Sequence, residues 1–312
     1  MTTEISSQLQ LATTAWRLDA TDDANEITRQ AVIAESLGYH SFWLPESHFA
    51  GQRSLPSPMM LLAAVAAATR RIRLGSTSYL LPIRHPLHAA EEVAVLDCLS
   101  GGRVILGVGR GVQDTMFEAF SVDRRQKRTR FRDNLALMIR AWRGKSVVDG
   151  DVEVILSPLP VQRPHPPIWV AAFGPLAIKQ AGSLGLPYLA SPVETLAQLA
   201  DNYARHAEFV SASGFPVVTD RPVMRTVYVS DRPTDVAAVK ASLQQAAAPV
   251  MRDQDAEVDD WTIVGDAVQV RDKIAEYVET LGMTHLIVRG RISGVEDAAW
   301  TENLERLAKL AG

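Results

Sequence analysis

The chain has 312 residues, with Lys+Arg 32 against Asp+Glu 36, a formal net charge of −4, and hydrophobic and charged fractions of 47% and 22%. That length admits two average domains or one barrel of alternating strands and helices, and the composition is globular, with ample apolar material for a core. A mildly acidic chain lacks the surplus cation that covers phosphates, which argues against general nucleic-acid binding, and a lone cysteine, Cys98, excludes an internal disulfide and a cysteine zinc site.

The N-terminal "MTTEISSQLQ" has no basic start followed by an apolar stretch, and the longest apolar run, Met59 to Ala68, is ten residues, half a membrane span. A reducing cytoplasm and no membrane contact are therefore expected. "LQLATTAW" (9 to 16) reads as a strand before a helix containing Ile27, Ala31, Ala34 and Leu37, which stops at Gly38. "SFWLPE" is a second strand, followed by a helix from about Pro58 to Thr69. "IRLGSTSYLL" (72 to 81) is a third, and Pro86 opens a helix that runs through Val93 and Leu96 to the stop at "SGGR". "VILGVG" is the fourth. The basic run "RRQKRTRFR" (124 to 132) continues with Phe131, Leu135, Met138, Ile139 and Trp142 at helical spacing, so its charges form the wet face of an amphipathic helix.

The 144 to 166 segment reads as a loop with a possible hairpin at "VEVIL". "PIWVAA" (167 to 172) then leads to a helix from Pro175, "LPYLA" to one from Val193, and "VMRTVYVS" to one from about Thr234. A helix over 266 to 281 precedes "THLIVR", and an amphipathic helix ends near Leu310. Eight strands alternating with helices, without repeat period or linker, predict one α/β domain over 1–312, a (β/α)8 TIM barrel with loop insertions. Chemistry in such a barrel sits at the carboxyl ends of the strands.

"RVILGVGRGV" (103 to 112) invites a nucleotide reading, but a dinucleotide fingerprint needs glycines at the first, third and sixth positions, and counting from Gly107 the sixth is Val112. The phosphate-loop pattern GxxxxGK[ST] is also absent. What remains is a strand end with alternating glycines around Arg110. Either the glycines let a ring or phosphate approach the backbone, or they relieve crowding where strands meet.

"GYHSFWLPESHFAG", "IRLGSTSYLLPIRHPLHAAEEVAVLDCLSGGRVILGVGRG", "PPIWVAA" and "IVGDAVQVRDKIAEYVETLGMTHLIVRG", in that order, resemble the bacterial luciferase-like monooxygenases along essentially the whole chain. The resemblance implies a TIM barrel that takes reduced FMN, or in a related branch a deazaflavin, at its C-terminal mouth. It places Arg110 and the backbone of Gly109, Gly111 and Val112 near the flavin. Ser76 and Thr77 would lie under the ring, at a strand end that often holds a non-proline cis peptide. The turn "AFGPL" would take the phosphate through Phe173, Gly174 and Pro175, where a helix start presents backbone amides.

In "PESHF" the family often carries Glu-His-His, and Ser47 stands at the first histidine position. Serine does not titrate near neutrality, so His48 is left either as the acid/base, with Glu46 orienting it, or as a structural hydrogen-bonder at the strand end. His85, just before a helix, reads as a loop anchor; Trp16, Trp43 and Trp169 either wall the ligand or fill the core. The activity implied is a two-component monooxygenase using reduced FMN from a separate reductase, with O2 and a small organic substrate. Ser47 keeps two alternatives open: a deazaflavin-dependent hydride-transfer oxidoreductase and a non-catalytic flavin-binding protein. A homodimer is implied by resemblance, with "MMLLAAVAAAT" as a helix able to pack closely, and substrate preference is left to the 47 to 57, 144 to 166 and 250 to 262 stretches.

Overall fold

Val104–Gly109 is buried at all six positions, as expected of a strand covered on both faces in a parallel sheet. The computed structural model describes residues 9–17, 24–51, 54–247, 255–290 and 292–311. Its strands are β1 (Gln10–Thr14), β2 (Ser41–Leu44), β3 (Arg73–Ser76), β4 (Tyr79–Leu80), β5 (Val104–Gly109), β6 (Ile168–Ala171), β7 (Tyr188–Leu189), β8 (Pro222–Arg225), β9 (Val227–Val229), β10 (Ile263–Gly265) and β11 (His285–Val288). Between and after them run α1 (Ala24–Ser36), α2 (Pro58–Ala68), α3 (Pro86–Ser100), α4 (Asp114–Ala119), α5 (Lys127–Trp142), α6 (Pro175–Ser183), α7 (Leu196–Ala212), α8 (Pro233–Ala247), α9 (Val258–Trp261), α10 (Ala267–Leu281) and α11 (Asp297–Ala311).

The chain divides into two compact units. The middle unit holds the described residues of Leu18–Val32 and Trp43–Ala171. Here β5 runs parallel to β3 (Leu74 opposite Val104), to β4 (Tyr79 opposite Val108) and to β6 (Leu106 opposite Ile168). Its helices begin and end where the sequence provides for it. Pro86 occupies the first turn of α3 behind His85, whose Nδ1 accepts from the Leu87 N–H at 3.3 Å, and Gly101 ends the helix with φ 67. The Arg103 guanidinium closes the end of α2, donating to the carbonyls of Ala66 and Ile72 at 2.9 Å each. Phe131, Leu135, Met138 and Trp142 turn α5 inward, and the Trp142 Nε1–H donates to the Ala90 carbonyl at 2.9 Å. Trp43 and Trp169 stack at 5.0 Å, both buried, which assigns them to the core.

The terminal unit holds the described residues of Met1–Arg17, Ile33–Phe42 and Ala172–Gly312. β11 lies parallel between β1 and β8, with Leu286 opposite both Leu11 and Val223, while β9 and β10 form a separate parallel pair. "VMRTVYVS", expected as one strand, thus divides at Thr226. The Arg225 carbonyl accepts from the Arg289 N–H at 2.7 Å and the Thr226 carbonyl from the Ile263 N–H at 3.0 Å, so the chain changes partners within one residue. Buried Arg225 holds this change, donating to the Ser191, Met224 and Glu194 carbonyls and the Tyr277 hydroxyl. β10 is an element the hydrophobic pattern did not separate from the helix that follows it.

Two further expectations are corrected. "VEVIL" forms no strand, being tied back by the Val147 N–H on the Val154 carbonyl at 2.8 Å and by the Ser146 hydroxyl accepting from Val154 N–H at 3.2 Å. α7 starts at Leu196, not Val193, because Thr195 and Gln198 close a capping box there. The "MTTEISSQ" start and residues 250–254 lie outside the described residues. Among the described residues no helix is long and apolar enough to cross a membrane.

Candidate active site

β2 is buried throughout, and the chain beyond Pro45 remains extended, so Glu46 and His48 project to one side and Ser47 to the other. Ser47 is occupied structurally. Its backbone pairs with Leu55 at 3.1 and 2.9 Å, and its hydroxyl accepts from the Leu55 N–H at 3.1 Å, folding the loop back on itself.

Glu46 is the hub of the middle unit's polar cluster. Its side chain is fully buried, and Oε1 accepts from His48 Nε2 at 2.6 Å and from Arg84 Nη1 at 2.7 Å. Oε2 accepts from the Leu80 N–H at 2.9 Å. A buried carboxylate is stable only when its lone pairs are met in this way, and one full positive charge is in contact here. Arg84 is held in turn by the Leu80 carbonyl at 2.9 Å and lies over the Tyr79 ring at 3.9 Å. From α5, Asn134 braces this stretch by donating to the carbonyls of Leu81 and Arg84. Burial pushes the Tyr79 phenol far above its usual range; Arg84 opposes the shift, and the Glu92 carboxylate that accepts from the phenol at 2.5 Å adds to it.

Because Glu46 can only accept, His48 carries a hydrogen on Nε2, leaving Nδ1 as the acceptor of the neutral ring. The imidazole is 7% exposed, meets Phe120 edge-on at 5.0 Å, and lies 6.0 Å from Phe49. Phe49 has φ 55, unusual for a non-glycine residue, and is 66% exposed. An apolar, partly wet surface therefore borders the imidazole of the cluster.

The end of β3 and the glycines of β5 meet tightly. The Thr77–Ser78 peptide is cis. A Cβ on Gly107 would fall 1.9 Å from the Ser76 carbonyl oxygen, and one on Gly109 1.9 Å from Ser78 Oγ. Of the two readings of these glycines, crowding between strands accounts for both positions. Ser76 adds a hydroxyl bond to the Gly107 carbonyl at 2.8 Å, and the Thr77 N–H donates to the Leu44 carbonyl at 2.8 Å. Gly111 differs: φ 72 turns the chain out of β5, and Val112 follows at 78% exposure.

The turn is electropositive. Lys127 Nζ, at the start of α5, donates to the Gly111 carbonyl at 3.4 Å. Burial lowers its pKa, and Arg124, Arg110 and Arg128 lower it further against the opposing Asp114. Arg110 is likewise pushed down by burial and by Arg128. The expectation that the basic run is only a wet face thus holds for Arg125, which pairs with Asp123 in solvent, and fails for Lys127 and for Arg130, whose Nε donates to the Pro82 carbonyl at 2.8 Å. Arg84, Tyr79, Lys127 and Phe120 were not singled out from sequence. The one signal available for Lys127 was the closeness of the basic run to the glycine turn.

In the terminal unit, Gly174 has φ 90 and caps α6, Pro175 takes its first turn, and Phe173 is 36% exposed. Gly174, at φ 90, supplies a backbone conformation that L side chains rarely adopt.

Parallel strands alternating with helices, and ionisable groups collected at the carboxyl ends of β2 and β5, define an enzyme of the β/α-barrel class. The chain belongs to the Luciferase-like monooxygenase family, which it matches over residues 3–285. It is 28% identical over 220 residues, 68% of this chain and 61% of the other, to the oxygenase component of the flavin-dependent trigonelline monooxygenase of Acinetobacter baylyi. It is also 28% identical over 295 residues, 84% of this chain and 86% of the other, to the F420-dependent glucose-6-phosphate dehydrogenase of Beutenbergia cavernae. The chain spans about half the length of several curated relatives it matches. Among solved structures, the FMN complex of the oxygenating constituent of 3,6-diketocamphane monooxygenase from Pseudomonas putida superposes with a TM-score of 0.82 at 20% identity, covering 97% of each chain. That likeness establishes the fold, a (β/α)8 barrel.

Proposed function

We propose that this chain is the oxygenase component of a two-component flavin monooxygenase, taking reduced FMN from a separate reductase and using O2 to oxygenate a small organic substrate. The observation that carries the reading is the His48–Glu46–Arg84 cluster, an imidazole locked on a buried, charge-balanced carboxylate and opening onto exposed aromatic surface. The cationic turn supports it. Arg110, Arg128 and Lys127 oppose one another's charge, and a phosphate-bearing cofactor relieves that opposition.

Reduced FMN, when bound, supplies the two electrons that activate O2. The chain supplies the surroundings. Arg110, with the backbone of Gly109, Gly111 and Val112, holds the cofactor at the end of β5, and Ser76 and Thr77 form the surface it rests on. In the terminal unit taken by itself, Phe173 and Gly174 offer N–H groups to an anion at the start of α6, while Pro175, which has no N–H, opens the helix. His48 takes or gives a proton at Nδ1 while Glu46 fixes the ring through Nε2, and Phe49 and Phe120 line it with apolar surface. A deazaflavin-dependent reading stays as the alternative because Ser47 removes one histidine and F420-dependent proteins are among the relatives.

The test is to mix the FMNH2-loaded protein with oxygen across pH 6 to 9 and follow cofactor oxidation. The wild type should differ in rate from free reduced FMN and show one ionisation that His48→Gln removes, with a rate change of about 10²-fold or more. Oxidation indistinguishable from free FMNH2 at every pH contradicts the proposal.

A further inference from the structure

The terminal unit contains a cavity of about 260 Å³ between the C-terminal half of α7 and the connection into β8, a region with no part in the proposed reaction. Its size lies just below the ~300–1,000 Å³ of small-molecule sites and suits one ring with short substituents. Ala207, Val210, Phe215 and Val217 give it apolar walls.

The polar groups around those walls are specific in what they can still bond. His206 is 4% exposed, and its Nε2 lies 2.8 Å from the Leu186 carbonyl. A carbonyl only accepts, so Nε2 bears the hydrogen and Nδ1 is a lone-pair acceptor. Burial, reinforced by the Arg221 charge, lowers the imidazole pKa and favours this neutral form. Among the described residues nothing donates to Nδ1. Tyr203 is already committed, its hydroxyl donating to the Pro222 carbonyl at 2.9 Å. Arg221 commits Nη1 to the Leu281 carbonyl at 2.6 Å, and among the described residues Nε and Nη2 donate to nothing. Asp220 lines the same cavity and sets a negative charge against any dianion.

We propose that this cavity binds a small monoanionic hydroxy acid with an apolar ring. The ring packs on Ala207, Val210, Phe215 and Val217, the hydroxyl donates to His206 Nδ1, and the carboxylate meets Arg221. A neutral buried acceptor and a nearby cation with open donors are complementary to those two groups, and a hydroxyl lost from such a ligand leaves the buried acceptor unmet.

The probes are 4-hydroxyphenylacetate and phenylacetate, titrated into the full chain by calorimetry and ligand-detected NMR. The first should bind saturably with a Kd of about 1 mM or tighter, and the second about fivefold more weakly. Ala207→Phe, at an exposed helical position, should abolish binding without loss of helix content, and Ser211→Trp at the mouth should do the same. Arg221→Gln should weaken binding about tenfold. Several results overturn the proposal: no saturation by about 20 mM, equal affinity for the two probes, undiminished binding in Ala207→Phe, or displacement of the probe by FMN. Self-association abolished by Ala207→Phe, with no probe binding, would assign the apolar walls to a second copy of the chain and equally overturn it.

Discussion

Glu46 illustrates how one buried charge can organise chemistry. Its carboxylate meets a permanent cation, a backbone N–H and an imidazole, all at hydrogen-bond distance, so ring orientation and tautomer at His48 follow from its position. Glu46→Ala would leave Arg84, 17% exposed, without its carboxylate, and should lower unfolding stability by about 3 kcal/mol or more, measured by denaturant titration. Glu46→Gln keeps acceptor and shape and should fold, while shifting the pH profile of cofactor oxidation; an unchanged profile would separate Glu46 from His48. Sequence reading reached both residues but saw Ser47 only as a missing histidine. The backbone pairing of Ser47 with Leu55, eight residues on, depends on a loop path that no local pattern encodes.

At the scale of elements, periodicity and end signals were informative. Pro86 and Gly101 bound α3, Pro58 opens α2, and Asp266 caps α10, because those residues act on the backbone beside them. What the sequence did not carry was which strand pairs with which. The division at Thr226 and the short β10 arise from tertiary pairing, and buried Arg225, which enforces it, has no distinguishing local context. The β5 glycines make a graded prediction. Gly107→Ala meets a backbone carbonyl that cannot move, and Gly109→Ala chiefly a side-chain hydroxyl that can rotate, so both destabilise but the first costs more, by about 1–3 kcal/mol in the same titration. For α5, Lys127→Gln and Arg128→Gln should each weaken FMNH2 binding about tenfold, while Arg125→Gln, paired with Asp123 in solvent, should leave it unchanged. Equal effects of all three would reduce the cationic turn to a general surface field.

For the whole molecule, the α/β class and the barrel were legible from strand and helix alternation, and the family from long ordered segments, whereas the inward part of the basic run was not, because helical spacing does not say what faces the helix start. Reading 1–312 as one domain predicts a single cooperative unfolding transition, and two resolved transitions would contradict it. A homodimer through α2, which has no polar side chain and leaves Met60 75% exposed, predicts a dimer in sedimentation that Met60→Glu dissociates. His165 and His206 are both pushed below the usual imidazole value of 6.5, by burial first. The unfolded chain therefore takes up protons at higher pH than the folded one, so stability should be full above about pH 7 and fall as the pH drops below the unfolded value. The most direct test of the functional account is an anaerobic titration of the full chain with reduced FMN and, separately, reduced F420. Saturable FMNH2 binding at a Kd of about 10 μM or tighter, with F420 at least about tenfold weaker, is the predicted result; preference for F420, or binding of neither, would contradict it.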